Sequence, residues 1–249
     1  MPREPVITAC VLIIGNEILS GRTQYKNLAH IATELNERGI QVAEARVIPD
    51  DEAIIVATLN ECRAKFDYVL TTGGIGPTHD DITADCVAKA FGRPLYMHPE
   101  LEAMLRKREA PPDVMAARLR MARIPQGAEL IHNPFGPGGF RVENVCVMAG
   151  IPRVMVEMLQ SLLPSLNGGQ TVRSRTVTAF VTESQVAGPL GTLQGRYPDV
   201  DLGSYPFSRD GRYGTSLVAR GVDEAELEQV AKALAVLVEA AGGEMVGPN

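Results

Sequence analysis

Apolar residues run unbroken from Val6 to Ile14 (VITACVLII) and stop at Gly15, the pattern of a strand buried on both faces. Leu28, Ile31, Ala32 and Leu35 then recur at helical spacing up to Gly39, and residues 41–48 read as a second strand, completing a βαβ unit. Ile54, Ile55, Leu59 and Cys62 mark another amphipathic helix. Residues 68–72 (YVLTT) form a third strand entering a glycine-rich turn, and Val87, Ala90 and Phe91 lie on the apolar face of the helix beyond it. This alternation predicts an α/β fold, a mostly parallel sheet with helices on both faces. In such a sheet ligands sit beyond the carboxyl ends of the strands, so the loops after Ile14, Ile48 and Thr72 would share one edge.

Past Pro94 the pattern turns to two helical stretches, 99–108 and 112–123, with Met and Leu set among many arginines. Residues 140–143 and 145–148 flank Asn144 like a hairpin, and Pro152 opens a helix to about Leu163. The expected domains are 1–166 and 170–249, with Asn167-Gly168-Gly169 as the linker between them. The second is a small α+β module: a strand over 171–181, a helix from Glu183, two strands meeting at Asp210-Gly211 and a last helix near 223–241. Its β-α-β-β-α order follows the outline of a KH nucleic-acid-binding domain. It lacks that domain's GxxG clamp and any basic excess, which favours a packing or dimerisation role.

Composition narrows the classes. With 45% hydrophobic and 22% charged residues among 249, the chain can bury a substantial core and needs no disorder. A formal charge of −6 without a basic stripe argues against a nucleic-acid partner. Cys10, Cys62, Cys86 and Cys146 form no Cys-x-x-Cys pair, so they read as buried thiols rather than as disulfides or a zinc site. The run at 6–14 is too short to span a bilayer. A cytoplasmic protein with no membrane association is expected.

The strongest chemical signal is Thr71-Thr72-Gly73-Gly74-Ile75-Gly76-Pro77-Thr78-His79-Asp80-Asp81-Ile82-Thr83, set between a buried strand and a helix. Glycines let a backbone approach an anion with its N–H groups turned inward, and the helix N-terminus adds partial positive charge. A tight strand-to-helix connection capped by aspartates would account for the glycines equally well. Asp80, Asp81 and Asp85 put three negative charges beside the proposed anion site, and a divalent metal such as Mg²⁺, bridging carboxylate and phosphate oxygens, reconciles them. Asp50 and Asp51 open a helix on the same edge, as ligands or as caps; His79 is a ligand or a helix-start residue. A third cluster, Gly15, Asn16, Glu17 and Gly21 with Asn27 beyond, follows the first strand, where Glu17 could be only a solvated charge.

Residues 15–21, the Pro49-Asp50-Asp51 step and residues 72–83 resemble, in order and interval, the successive signatures of CinA-type MoaB/Mog molybdopterin-binding domains. Gly138-Gly139-Phe140 and Gly150-Ile151-Pro152-Arg153 extend the resemblance to about residue 165, and the small module also resembles the domain that follows. The resemblance implies a three-layer Rossmann-like molybdopterin-binding fold, often a homo-oligomer, with molybdopterin or another pterin or nucleotide phosphate as its small-molecule ligand. Mog-type relatives adenylylate molybdopterin and use two aspartates, which fall on Asp50 and Asp81. CinA-type relatives are associated with metal-dependent cleavage of ADP-ribose-like diphosphates, and the related domain of eukaryotic FAD synthase hydrolyses FAD. By the same token Asp81 and Asp80 would hold Mg²⁺, Mn²⁺ or Co²⁺, and Gly15, Asn16, Glu17, Gly21, Asn27, Thr72, Gly73, Gly74, Gly76, Pro77, Thr78, Gly150 and Pro152 would contact ligand or phosphate. A non-catalytic binding module would share all of this. Three departures stand out: Ala149 for a family Pro, Ile75 for the Thr of the Mog-type turn, and Gly136-Pro137-Gly138-Gly139 for a longer loop. Without the deamidase domain that full-length CinA carries further on, no deamidation is expected of residues 1–249.

Overall fold

In a computed structural model, which describes residues 6–23 and 25–247, the unbroken apolar run is β1 (Ile7–Ile14). Its residues alternate between two cores: Cys10, Leu12 and Ile14 enter one, Ala9, Val11 and Ile13 the other. That alternation makes the three layers.

From β1 the chain passes through α1 (Asn16–Leu19), α2 (Asn27–Glu37), β2 (Ile40–Ile48), α3 (Glu52–Lys65), β3 (Tyr68–Thr72) and α4 (Thr83–Ala90). A ribbon strand β4 (Leu95–Met97) precedes α5 (Pro99–Arg106) and α6 (Pro112–Leu119). A 3-10 turn at Arg120–Ala122 then leads into β5 (Arg123–Pro125), which pairs with β4. β6 (Glu129–Ile131), β7 (Gly139–Val142), β8 (Val145–Met148) and α7 (Pro152–Leu162) complete the first unit, Met1–Gly169. Ile31 and Leu35 of α2 and Met155 and Leu159 of α7 fill one core; Ile55 and Leu59 of α3 and Val87 of α4 fill the other.

The sheet runs β2-β1-β3-β8-β7-β6, and the first four strands are parallel. β7 is antiparallel to both neighbours, so β6 again runs with the parallel set. Residues 132–138, which join β6 to β7, therefore emerge at the same edge as the loops after β1, β2, β3 and β8. At the root of this tip the backbones are in close contact: a Cβ on Gly139 would stand 2.0 Å from the Val147 carbonyl oxygen.

The second unit, Gln170–Asn249, contains β9 (Arg173–Phe180), α8 (Glu183–Arg196), β10 (Asp201–Arg209), β11 (Arg212–Gly221), α9 (Glu224–Ala240) and β12 (Glu244–Val246). Its sheet, β10-β11-β9-β12, is antiparallel, with Val177, Leu217, Val186 and Leu234 in a core shared with the two helices.

The three-residue strands β4, β5 and β6 are absent from the sequence reading, and four further features differ from it. The helix expected over 112–123 ends at Leu119, because pairing with β4 draws residues 123–125 into an extended strand. The segment after β1 is a helical turn, α1, rather than an open loop. β12 adds a strand to the β-α-β-β-α module, paired with β9. The 167–169 linker is docked, with the Gly169 amide donating to the Gly39 carbonyl at 3.2 Å and the Asn167 amide to the Tyr68 hydroxyl at 2.9 Å. Among the described residues no helix is long and apolar enough to cross a membrane. All four cysteines are buried and free.

Candidate functional site

The loops after β1 and β2 are tied together. The Gly15 amide donates to the Ile48 carbonyl at 3.1 Å, and the Asn16 amide donates to Asp50 Oδ2 at 2.9 Å. Asp51 behaves differently: its Oδ1 accepts from the Ile54 amide at 3.0 Å, the ordinary N-cap of α3. Two adjacent aspartates thus divide the alternatives, Asp51 as a cap and Asp50 as a carboxylate reaching across the edge. Glu17 is exposed on α1, and Gly21, in the turn closing α1, has open space where a Cβ would stand.

The glycine turn follows β3. Gly73 has φ +102, and a Cβ there would lie 2.1 Å from the Ile14 carbonyl oxygen, so only glycine fits where the turn crosses the end of β1. Its amide, however, donates to the Met148 carbonyl at 3.1 Å, extending the β3/β8 ladder. Gly73 therefore contributes close approach and not a phosphate donor, a point decided by which strand lies beside β3. The Thr83 amide and hydroxyl donate to the Gly74 and Gly73 carbonyls, both at 3.0 Å, drawing the start of α4 under the turn. Among the described residues no protein acceptor takes the amides of Gly74, Ile75 or Gly76.

Asp81 is held from below by Thr78, whose amide and hydroxyl both donate to its Oδ2, at 2.8 and 2.5 Å, leaving Oδ1 open. Asp80 is exposed, and hydrogen bonding from Thr78 and its own amide holds its carboxyl below the usual range. Pro77 is exposed. His79 projects into solvent 4.0 Å from Asp80, in the turn before α4 rather than at the helix start, since that helix is entered through Ile82.

Two residues join this turn to the remaining loops. Tyr25 shares a 2.5 Å hydrogen bond with the Thr72 hydroxyl, and burial raises its phenol's pKa. Asn27, 2% exposed at the start of α2, donates from Nδ2 to the Gly150 carbonyl at 2.8 Å, while its Oδ1 is buried without a partner. Pro152 begins α7 beside it in sequence. Helices α2, α4 and α7 all start without a side-chain cap, so first-turn amides are available at this edge, except that Pro152 has none and the Thr83 amide is taken by the Gly74 carbonyl.

The sequence reading missed two arginines. Arg120 and Arg123 line a narrow cleft of about 20 Å³ with Gly74, Gly76 and Asp81, room for about one water. Arg123 pairs with Asp85 at 2.9 Å, which removes Asp85 from the set of free carboxylates. Arg120 Nη2 donates to the Asp81 carbonyl at 3.3 Å, and its Nε is buried with no partner. An unsatisfied guanidinium nitrogen beside three free amides is a cationic, donor-rich place for an anion. The local sequence signal was only two more arginines in an arginine-rich stretch.

For a metal the donor chemistry is suitable but sparse. Among the described residues no three His, Cys, Asp or Glu side chains come together. The open Oδ1 of Asp81 and the exposed Asp80 are hard oxygen donors of the kind Mg²⁺ takes one or two at a time, completing its shell with water and phosphate. The residues thus fit an ion that arrives with a phosphate ligand, not a closed protein cage.

Residues 10–168 match the family described as probable molybdopterin binding domain, and residues 171–242 match the middle domain of FAD synthase. A protein of Archaeoglobus fulgidus is 34% identical over 197 residues, 79% of this chain and 84% of that one. A CinA-like protein of Desulfosudis oleivorans is 35% identical over 211 residues, 78% of this chain and 50% of its own length, so the chain spans about half of that relative. The crystal structure of the protein CinA, of unknown function, from Thermoplasma acidophilum aligns with a TM-score of 0.58 and 34% identity, covering 64% of this chain and 96% of that one.

Proposed function

This chain belongs to the family of probable molybdopterin binding domains and has CinA-like relatives, and from that premise we propose that it hydrolyses the diphosphate of ADP-ribose, FAD or a similar dinucleotide with a divalent metal. The observation that carries the reading is the pairing, in one cleft, of the unpartnered Arg120 Nε and the free Gly74 to Gly76 amides with the Asp81 carboxylate. The amides and guanidinium would receive phosphate oxygens; the carboxylates would serve the metal.

Asp81, with Asp80, would hold Mg²⁺, Mn²⁺ or Co²⁺, which would neutralise charge on the phosphate oxygens. Asp50, whose Oδ1 has no partner among the described residues, would orient the attacking water and take its proton. The water oxygen bonds to one phosphorus, the bridging P–O bond breaks, and the leaving phosphate departs with the electron pair. From ADP-ribose the products are AMP and ribose 5-phosphate. Charge gathers on the diphosphate in this transition state, where fixed donors act most strongly. Asn27 and Tyr25 would position the ligand by bracing the loops at either side.

The test is product formation from ADP-ribose, FAD, and molybdopterin with ATP, each with metal and with chelator. The proposal expects AMP from the first two only with metal, and a fall on the order of 100-fold or more in Asp81→Asn. A folded Asp81→Asn protein with full activity would sink it. Transfer of AMP to molybdopterin without turnover of ADP-ribose would move the assignment to molybdenum-cofactor synthesis. Ligand-induced stabilisation with no product would leave a binding module.

A further inference from the structure

A second pocket, of 460 Å³, lies where α5, α6 and the 132–138 tip meet. That volume is within the roughly 300–1,000 Å³ range of small-molecule sites. Its lining is unusual for a protein of net charge −6: Lys107, Arg108 and Arg118 contribute three cations, and no lining residue is acidic. Met104, Met121 and the half-exposed ring of Phe135 supply the apolar part. Two of these groups are braced. Arg118 Nη1 donates to the Arg108 carbonyl at 3.2 Å, and the Arg153 guanidinium stacks 4.3 Å from the Phe135 ring centroid.

The pocket adjoins the glycine-turn cleft. Met121 borders both, and the same tip supplies Pro137 to one and Gly138 to the other. The end of α6 explains the partition: tightening into the 3-10 turn sends Arg118 to the larger pocket and Arg120 to the cleft. One ligand can therefore span two anion sites separated by an apolar wall.

A dinucleotide whose only phosphates are its central diphosphate would set a phosphate oxygen into the mouth of the cleft and leave three cations facing a neutral nucleoside. We propose that the preferred ligand carries a further phosphate on its adenosine ribose, at the 2′ or 3′ position. The base lies on Met104, Met121 and Phe135, and the extra phosphate is received by Lys107, Arg108 and Arg118. This deepens the diphosphatase reading and rests on it for the placement of the diphosphate, but its test needs no turnover.

Binding of 2′,5′-ADP, 3′,5′-ADP and AMP to the full chain is measured by calorimetry in the presence of chelator. The expected result is that at least one bisphosphate binds about tenfold tighter than AMP, as a charge-assisted contact to phosphate implies. Arg118→Ala, which also loses the hydrogen bond to the Arg108 carbonyl, and the exposed-site variant Lys107→Glu should each abolish that preference, bringing bisphosphate affinity down to that of AMP, with Tm unchanged in the Lys107 variant. Equal binding of all three nucleotides, or a preference that survives in both variants, overturns the inference. If the preference is present and lost in the variants while no diphosphate is hydrolysed with any metal, the hydrolase reading fails and this pocket stands. If ADP-ribose is hydrolysed but the bisphosphates show no advantage, the reverse holds.

Discussion

Replacing Arg120 by Met should move stability and ligand binding in opposite directions. Met keeps much of the aliphatic length that borders the cleft and removes the guanidinium. Two terms affect folding. The Nη2 hydrogen bond to the Asp81 carbonyl, long at 3.3 Å, is lost, which costs about 1 to 1.5 kcal/mol. The buried Nε without a partner is also lost, which relieves about 1 to 3 kcal/mol of unsatisfied desolvation. The difference lies between roughly neutral and about 2 kcal/mol stabilising, so at about 2–4 °C per kcal/mol for a chain of this size Tm should hold or rise by several degrees. On the proposed reading ligand binding loses a cation and donor for phosphate, and kcat/KM for ADP-ribose should fall about 10- to 100-fold. Thermal unfolding and steady-state kinetics on the same preparation check both signs. A drop in Tm of 5 °C or more with unchanged kinetics would show that Arg120 is a structural strut and that the cleft has no use for its charge.

Two further predictions test the frame around the site. Gly73→Ala places a Cβ 2.1 Å from the Ile14 carbonyl oxygen at a positive φ, and neither backbone can yield cheaply; Tm should fall by about 4 °C or more, from at least about 2 kcal/mol of strain and displacement, which differential scanning calorimetry would register. Burial pushes the thiols of Cys10, Cys86 and Cys146 up to about 12 and raises that of Cys62, so at pH 8 the native protein should not react with a disulfide reagent that labels four thiols in denaturant. Rapid native labelling would contradict the packing of both cores.

Much of this was legible in the sequence for a specific reason. β1 is an almost wholly apolar run ending at glycine, and β3 (YVLTT) is a short run of aromatic, aliphatic and β-branched residues entering the glycine turn, which is how buried strands read. The edge clusters followed from those strands because parallel order puts their carboxyl ends together. β4, β5 and β6 have three residues each, too short for a period of two to show. Arg120 and Arg123 were invisible as site residues because their direction depends on β5 pairing with β4, a contact across more than twenty residues of chain. The engaged amide of Gly73 likewise depends on β8 lying beside β3. Asp50 and Asp51 were separable only by their partners, one across the edge and one along its own helix.

The β6–β7 hairpin brings its tip to the ligand edge from an antiparallel strand, so the tip is anchored at both ends of one short ladder. Gly138 and Gly139 press against the carbonyls of Ile131 and Val147 and fix the root, while Asn133 closes the tip on itself through Pro137 and Phe135. Residues 133–137 are thereby an exchangeable part. Lengthening or shortening them leaves every strand register intact, and loop-closure entropy charges little for a few added residues. On the proposed reading, the groups that act on the diphosphate are built on the rigid parallel strands, and part of the pocket that would choose a ligand is built on a replaceable tip. Segments of other length or charge grafted between His132 and Gly138 would retune selectivity without rebuilding the fold.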